Sequence, residues 1–206
     1  KKAGKTSVTV KTASNETIKI NVTVKTPSVK LTATKAPLQV KKSTTAIKVS
    51  SKISTDAISS VSSSSTSRVK AYRVKTSSGN YSTTGIKLVA QSKTGTATIT
   101  VKMKSGAKAT CKVTVQKSAV KVTSVSVPST SVTLRLAGAN KKTTYKIAAK
   151  RYPVTATSKI YYSTSNKKVA TVSSSGTITA KKAGKATITV KSGTKTKKIT
   201  VTVKSK

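Results

Sequence analysis

Apolar and polar residues alternate strictly near the end of this chain. In Thr187-Ile188-Thr189-Val190 every second residue is apolar, and Lys198-Ile199-Thr200-Val201-Thr202-Val203 repeats the pattern with Lys and Thr between. A period of two predicts strands with one apolar face and one polar face. Ser192-Gly193-Thr194 between them supplies a Gly-containing hairpin turn. The same hairpin is predicted from Ala97–Val101 with Cys111–Val115, turned at Ser105-Gly106, and from Thr6–Val10 with Ile18–Val24, turned at Ser14-Asn15.

The three hairpins are copies of one phrase. Lys181-Lys182-Ala183-Gly184-Lys185-Ala186-Thr187-Ile188-Thr189-Val190 echoes Lys1-Lys2-Ala3-Gly4-Lys5-Thr6-Ser7-Val8-Thr9-Val10 and, more loosely, Lys93-Thr94-Gly95-Thr96-Ala97-Thr98-Ile99-Thr100-Val101. Gly4, Gly95 and Gly184 are separated by 91 and then 89 residues. That period is too long for a solenoid repeat and fits a string of separately cored small domains. Aligning the second strands on Val24, Val115 and Val203 places Ile20, Cys111 and Ile199 at one position. Cys111 is therefore expected to stand in for a buried isoleucine, since a free cysteine behaves as a small hydrophobe.

Further alternating segments fill the last unit. They are Val125/Val127, Val132/Leu134/Leu136, Tyr145/Ile147, Ile160–Tyr162 and Val169–Val172, with turns at Gly138-Ala139-Asn140, Tyr152-Pro153, Ser165-Asn166 and Ser174-Ser175-Gly176. Seven or so short strands per unit predict an all-β chain of tandem immunoglobulin-like β-sandwich domains. The expected division is residues 1–25, the closing hairpin of a preceding, truncated repeat; residues 26–117, a divergent sandwich; and residues 118–206, a complete one. Within the divergent unit, Ser62–Ser67 is expected to be a loop or ragged edge and Ser77-Ser78-Gly79-Asn80-Tyr81 an insertion. The connection Gln116–Lys121 is short and lacks Gly, which predicts a semi-rigid rod. A lone hairpin is marginal in water, so residues 1–25 are either a cut through a longer protein or completed by another chain.

Composition narrows the chemistry. The 206 residues contain no His, no Phe and no Trp, so cores must be built from Val, Ile, Leu and Ala. Forty-two Lys and Arg face only Glu16 and Asp56, for a formal charge of +40. Such a charge fits either attraction to a polyanion or a solvated coat that keeps a rod soluble. A paired-carboxylate mechanism needs two acids at one site, and these two fall in different units. Metal clusters of His or Cys are excluded by count, a calcium site would need more acids, and no cofactor motif is present. A lone Cys111 without His has no activating base. The expectation is a non-enzyme. Basic residues are spread without a concentrated aromatic groove, which argues against specific nucleic-acid recognition. No apolar run reaches the length of a membrane span. Tyr81 and Tyr161 are the candidate ligand-contact residues: Tyr81 lies in the insertion, and adjacent Tyr161 and Tyr162 must face opposite sides of one strand.

The run Tyr162-Ser163-Thr164-Ser165-Asn166-Lys167-Lys168-Val169-Ala170-Thr171-Val172, continued by Ser175-Gly176-Thr177-Ile178-Thr179-Ala180 and Ala183-Gly184-Lys185-Ala186-Thr187-Ile188-Thr189-Val190, resembles the group 2 bacterial immunoglobulin-like domain of invasin- and intimin-type adhesins. The middle unit keeps the Gly95–Val101 strand but offers Ser67-Arg68-Val69-Lys70-Ala71-Tyr72 in place of the Ser-Asn…Val-Ala-Thr-Val signature. The resemblance implies tandem domains on a bacterial cell-surface or secreted protein, of the Gram-positive kind where lysine-rich versions occur, with no shared catalytic residues. It implies a structural or adhesive stalk, with neighbouring repeats and an anionic cell-wall polymer or a host-surface glycan or protein as partners. The alternative it leaves open is a carbohydrate-recognising accessory module of a larger secreted protein or enzyme.

Overall fold

The computed structural model describes residues 4–205; the opening Lys1-Lys2-Ala3 of the first repeat copy, and Lys206, lie outside the described residues. Strands β1 (Gly4–Lys11) and β2 (Thr17–Val24) form an antiparallel hairpin with Val8 opposite Ile20 and Val10 opposite Ile18. Asn15 takes a positive φ of 62° at its turn, a conformation Asn tolerates better than most residues.

Nine strands follow: β3 (Val29–Leu31), β4 (Lys35–Gln39), β5 (Ser43–Thr44), β6 (Val49–Ser51), β7 (Ile58–Ser63), β8 (Val69–Lys75), β9 (Tyr81–Ala90), β10 (Gly95–Met103) and β11 (Lys108–Gln116). One sheet has the order β4-β11-β10-β7, and the facing layer comprises β5-β9-β8 and β3-β6, linked by a Lys48–Gly85 bridge. β4 runs parallel to β11, and the other pairs are antiparallel. The alternation in the sequence is now explained. Ala97, Ile99, Val101 and Met103 of β10 and Cys111, Val113 and Val115 of β11 all turn inward, onto Ile47, Val69, Ile86 and Leu88.

The plan is then repeated strand for strand. β12 (Ser124–Ser126), β13 (Ser131–Arg135), β14 (Thr144–Lys146), β15 (Lys150–Tyr152), β16 (Ile160–Thr164), β17 (Ala170–Val172), β18 (Thr177–Ala180), β19 (Gly184–Ser192) and β20 (Lys195–Lys204) form the sheet β13-β20-β19-β16, faced by β14-β18-β17 and β12-β15. Its core gathers Leu134, Ile147, Ile178, Ile188, Val190, Ile199 and Val201. The described residues thus form two all-β sandwiches of immunoglobulin type, each of nine short strands where seven or so were expected, plus one hairpin. No helix among them is long and apolar enough to cross a membrane.

Three details refine the sequence expectations. The run expected as a loop or ragged edge is both: Ser62 and Ser63 end edge strand β7, opposite Thr100 and Ile99, and the residues after them form the loop. Serine is a poor strand former, but an edge strand has one neighbour and its face is half exposed, so pairing with β10 overrides propensity. The insertion at Ser77–Tyr81 extends an existing hairpin: β8 and β9 are 7 and 10 residues long against 3 and 4 for β17 and β18. The connection between sandwiches is shorter than expected, because Val120 and Val122 are already buried in the second core.

Two of the repeat's glycines have a specific reason. Gly95 and Gly184 open the inner strands at φ 115° and 146°, and a Cβ there would meet Arg68 Nε at 2.7 Å and Val169 Cγ2 at 3.0 Å. Positive φ and close approach together call for glycine.

Candidate functional site

The two tyrosines singled out from sequence are in different sandwiches and do not form one site. Tyr81 begins β9 and is 49% exposed, but the Arg73 guanidinium lies 3.8 Å from its ring centroid and the Lys75 ammonium 5.7 Å away. The ring is thus already engaged by cations. Tyr161 is 63% exposed on β16, opposite Lys191 of β19, whereas Tyr162 turns inward and is half-buried. The in-and-out reading of this pair agrees with the structure. Burial raises the Tyr162 hydroxyl above the ordinary range.

The sequence did not indicate a cleft that occurs twice. In the first sandwich it lies between edge strands β7 and β8, with a volume of about 370 Å³, lined by Val61, Ser62, Ser63, Thr66, Lys70, Ala71 and Tyr72. In the second it lies between β16 and β17, about 520 Å³, lined by Tyr162, Ser163, Thr164, Lys167, Thr171 and Val172. Each residue of the second set stands 101 positions after its counterpart in the first. Both clefts open where the two edge strands of a sandwich leave a gap between its layers, and both present hydroxyls, one lysine and an aromatic or aliphatic floor. The sequence signal was the inward Tyr162, whose ring lies against Gly176 with no room for a Cβ.

The remaining candidates for chemistry are structural. Cys111 is fully buried opposite Ile99, and burial pushes its thiol up to about 11, so no thiolate forms near neutrality. Asp56, 8% exposed, accepts from Ser105 Oγ (2.7 Å), Ser105 N (3.1 Å) and Ser51 Oγ (3.2 Å). The Ser105 hydroxyl is the main reason its carboxyl is held below the usual carboxylate range, with burial opposing. Asp56 is therefore engaged as a tie for the β10–β11 turn. Glu16 lies beside the β1–β2 turn, its amide bonded to Thr12 Oγ1. Among the described residues no group of three His, Cys, Asp or Glu could hold a metal ion. None of the described Lys or Arg residues is buried, so the positive charge lies at the surfaces of both sandwiches.

Fold and surface together define a tandem of immunoglobulin-like sandwiches. Residues 121–203 match the family model described as bacterial Ig-like domain (group 2), so the second sandwich is a member of that family. No curated protein matches the chain. Among solved structures, surface layer protein SbsC domains 4–9 aligns with 99% of this chain at 20% identity and a TM-score of 0.41, and this chain spans 35% of it. SbsC domains 4 and 5 align with 57% of this chain at 31% identity and a TM-score of 0.36, with 69% of that structure covered. The protocadherin fragment PcdhgB3 EC1-4 aligns with 100% of this chain at 10% identity and a TM-score of 0.36, with 58% of its length covered.

Proposed function

We propose that the chain is a non-catalytic, extracellular structural or adhesive module of a bacterial surface protein: a semi-rigid cationic stalk that associates with anionic cell-wall polymer. The observation that carries this reading is the separation of charge from core. Two complete apolar cores account for the inward positions, while none of the described lysines and arginines, in a chain of net charge +40, is buried. A surface of one sign attracts polyanions and repels its own copies. The few-residue connection between two buried cores supports a semi-rigid rod, since little chain is free to bend.

Hairpin β1–β2 belongs to this reading as the closing hairpin of a preceding repeat. Its first glycine pairs with its last valine, Gly4 with Val24, as Gly95 pairs with Val115 and Gly184 with Val203. Val8, Val10 and Ile20 occupy positions that are buried in the other two copies, as Ile99, Val101 and Cys111 and as Ile188, Val190 and Ile199.

The test is sedimentation with purified Gram-positive walls at rising NaCl. Charges separated by more than about 8 Å are screened at physiological salt, so the bound fraction should fall steeply as salt rises and vanish when wall phosphate is stripped. Binding indifferent to both would remove the stalk-on-polyanion reading. The duplicated cleft favours a second reading, recognition of a glycan by hydroxyls and Tyr162. A single saturable, salt-insensitive hit on a glycan array would select it.

A further inference from the structure

Where the two sandwiches meet there is a groove of about 490 Å³. One wall is the segment around β5 of the first sandwich, including Thr44 and Lys48; the other is Arg151 and the turn after it in the second. Val154 of that turn packs against the core of the first sandwich, so the groove is held by both bodies.

Its chemistry is one-sided. Arg151 Nε donates to the Ala156 carbonyl at 2.9 Å, which fixes the guanidinium and leaves its two Nη groups without a further hydrogen bond among the described residues. Lys48 is exposed on the opposite wall. Thr155 lines the groove and is only 6% exposed, yet its Oγ1 is buried with no hydrogen-bond partner among the described residues. A buried hydroxyl without a partner carries a real cost. Among the described residues neither acidic side chain, Asp56 nor Glu16, lines the groove. Asp56 is committed to the β10–β11 turn, where it accepts from Ser105 and Ser51. Glu16 belongs to the hairpin.

We propose that this groove binds a tetrahedral oxyanion, a phosphate or sulfate group, between Lys48 and Arg151, and that its occupancy couples the two sandwiches. A guanidinium fork held in place by its own Nε bond suits two oxygens of such a group, and a lysine acts from the other side as a point charge. A turn of the Thr155 side chain into the groove gives its hydroxyl the acceptor it lacks. The site is independent of wall association: it concerns one saturable position, whereas the coat acts through many exposed lysines.

The experiment is a titration of the whole chain with sodium phosphate, followed by amide chemical shifts, against NaCl at matched ionic strength. Saturable shifts confined to residues 43–48 and 151–157 are expected with phosphate and not with chloride. Lys48→Gln, at an exposed position that leaves the fold intact, should weaken binding about tenfold. Thr155→Val should weaken it as well while raising the melting temperature of the phosphate-free protein, because the orphan hydroxyl is gone. Lys198→Gln, on the exposed outer surface of β20, should change nothing. Equal shifts with chloride, or unchanged affinity in Lys48→Gln and Thr155→Val, overturn the site. A parallel arm with a glycerol phosphodiester oligomer identifies the source: equal affinity assigns polymer-linked phosphate, and preference for the inorganic ion assigns a free oxyanion.

Discussion

Hairpins β1–β2 and β19–β20 carry nearly the same sequence in the same register, yet one is wholly exposed and the other forms the centre of a core. Val8 opposite Ile20 is the counterpart of Ile188 opposite Ile199. Val8 is 49% exposed and Ile20 50%, while Ile188 and Ile199 are fully buried. Alternation, turn and pairing are therefore local properties, set by residues close in sequence. Burial is not local: it comes from β13 and β16 on either side and from the facing layer. Gly4 makes the same point. A Cβ there would meet nothing within 4 Å, whereas at Gly184 it would meet Val169, which the facing layer supplies. The repeat phrase keeps a glycine whose packing reason is absent around the first hairpin.

The largest effect should separate the hairpins outright. Ile188→Ala empties a fully buried position and should cost about 2–5 kcal/mol in denaturant unfolding of the second sandwich. Val8→Ala removes a half-exposed side chain and should stay within about 0.5 kcal/mol. A loss at Val8 comparable to that at Ile188 would mean that the first hairpin is packed in solution, against another chain or another part of this one.

A smaller difference is expected at the glycines. Gly184→Ala forces an alanine to φ 146° against Val169 and should cost about 1–3 kcal/mol, read as a lowered midpoint for the second sandwich. Gly4→Ala, in open space, should leave both midpoints where they are. If the two substitutions proved equally mild, the close approach at Gly184 would not be a constraint, and the shared glycine would have to be explained by the hairpin alone.

What could be read from sequence follows the same division between local and non-local. The strands containing Ile99, Cys111, Ile188 and Ile199 were legible because an inward residue at every second position is a local signal, and the cysteine was legible because it occupies a repeat position. Edge strand β7 was not, since Ser59, Ser60, Ser62 and Ser63 carry no apolar alternation and are held by hydrogen bonds to β10. Tyr161 and Tyr162 could be assigned to opposite faces but not to a cleft, because the cleft needs Val172 from a strand in the other layer. The groove at the junction was invisible for the same reason: Lys48 and Arg151 are unremarkable among 42 basic residues until two domains bring them together.

The subtlest expected contrast lies between the two sandwiches at the turn of their inner hairpins. In the first, a carboxylate makes the tie: Asp56 accepts from Ser105 and Ser51. In the second, the tie is uncharged: Ser192 Oγ donates to the Ser158 carbonyl at 3.1 Å. The Asp56 carboxyl is held below its ordinary value by the Ser105 hydroxyl, so the folded state binds its proton less readily than the unfolded chain. The stability this supplies is fully present above the unfolded-state value of about 3.9, and it is lost as pH falls through the lower folded-state value. Acidification below about pH 4 should therefore lower the melting temperature of the first sandwich and spare the second, followed through amide signals of Ile99 and Ile188. Asp56→Asn should begin from a lower melting temperature at neutral pH and lose the acid-dependent difference between the sandwiches. Parallel acid melting of both in the wild-type chain would show that the Ser105–Asp56 tie does not distinguish them, and that shared repulsion among the lysines governs instead.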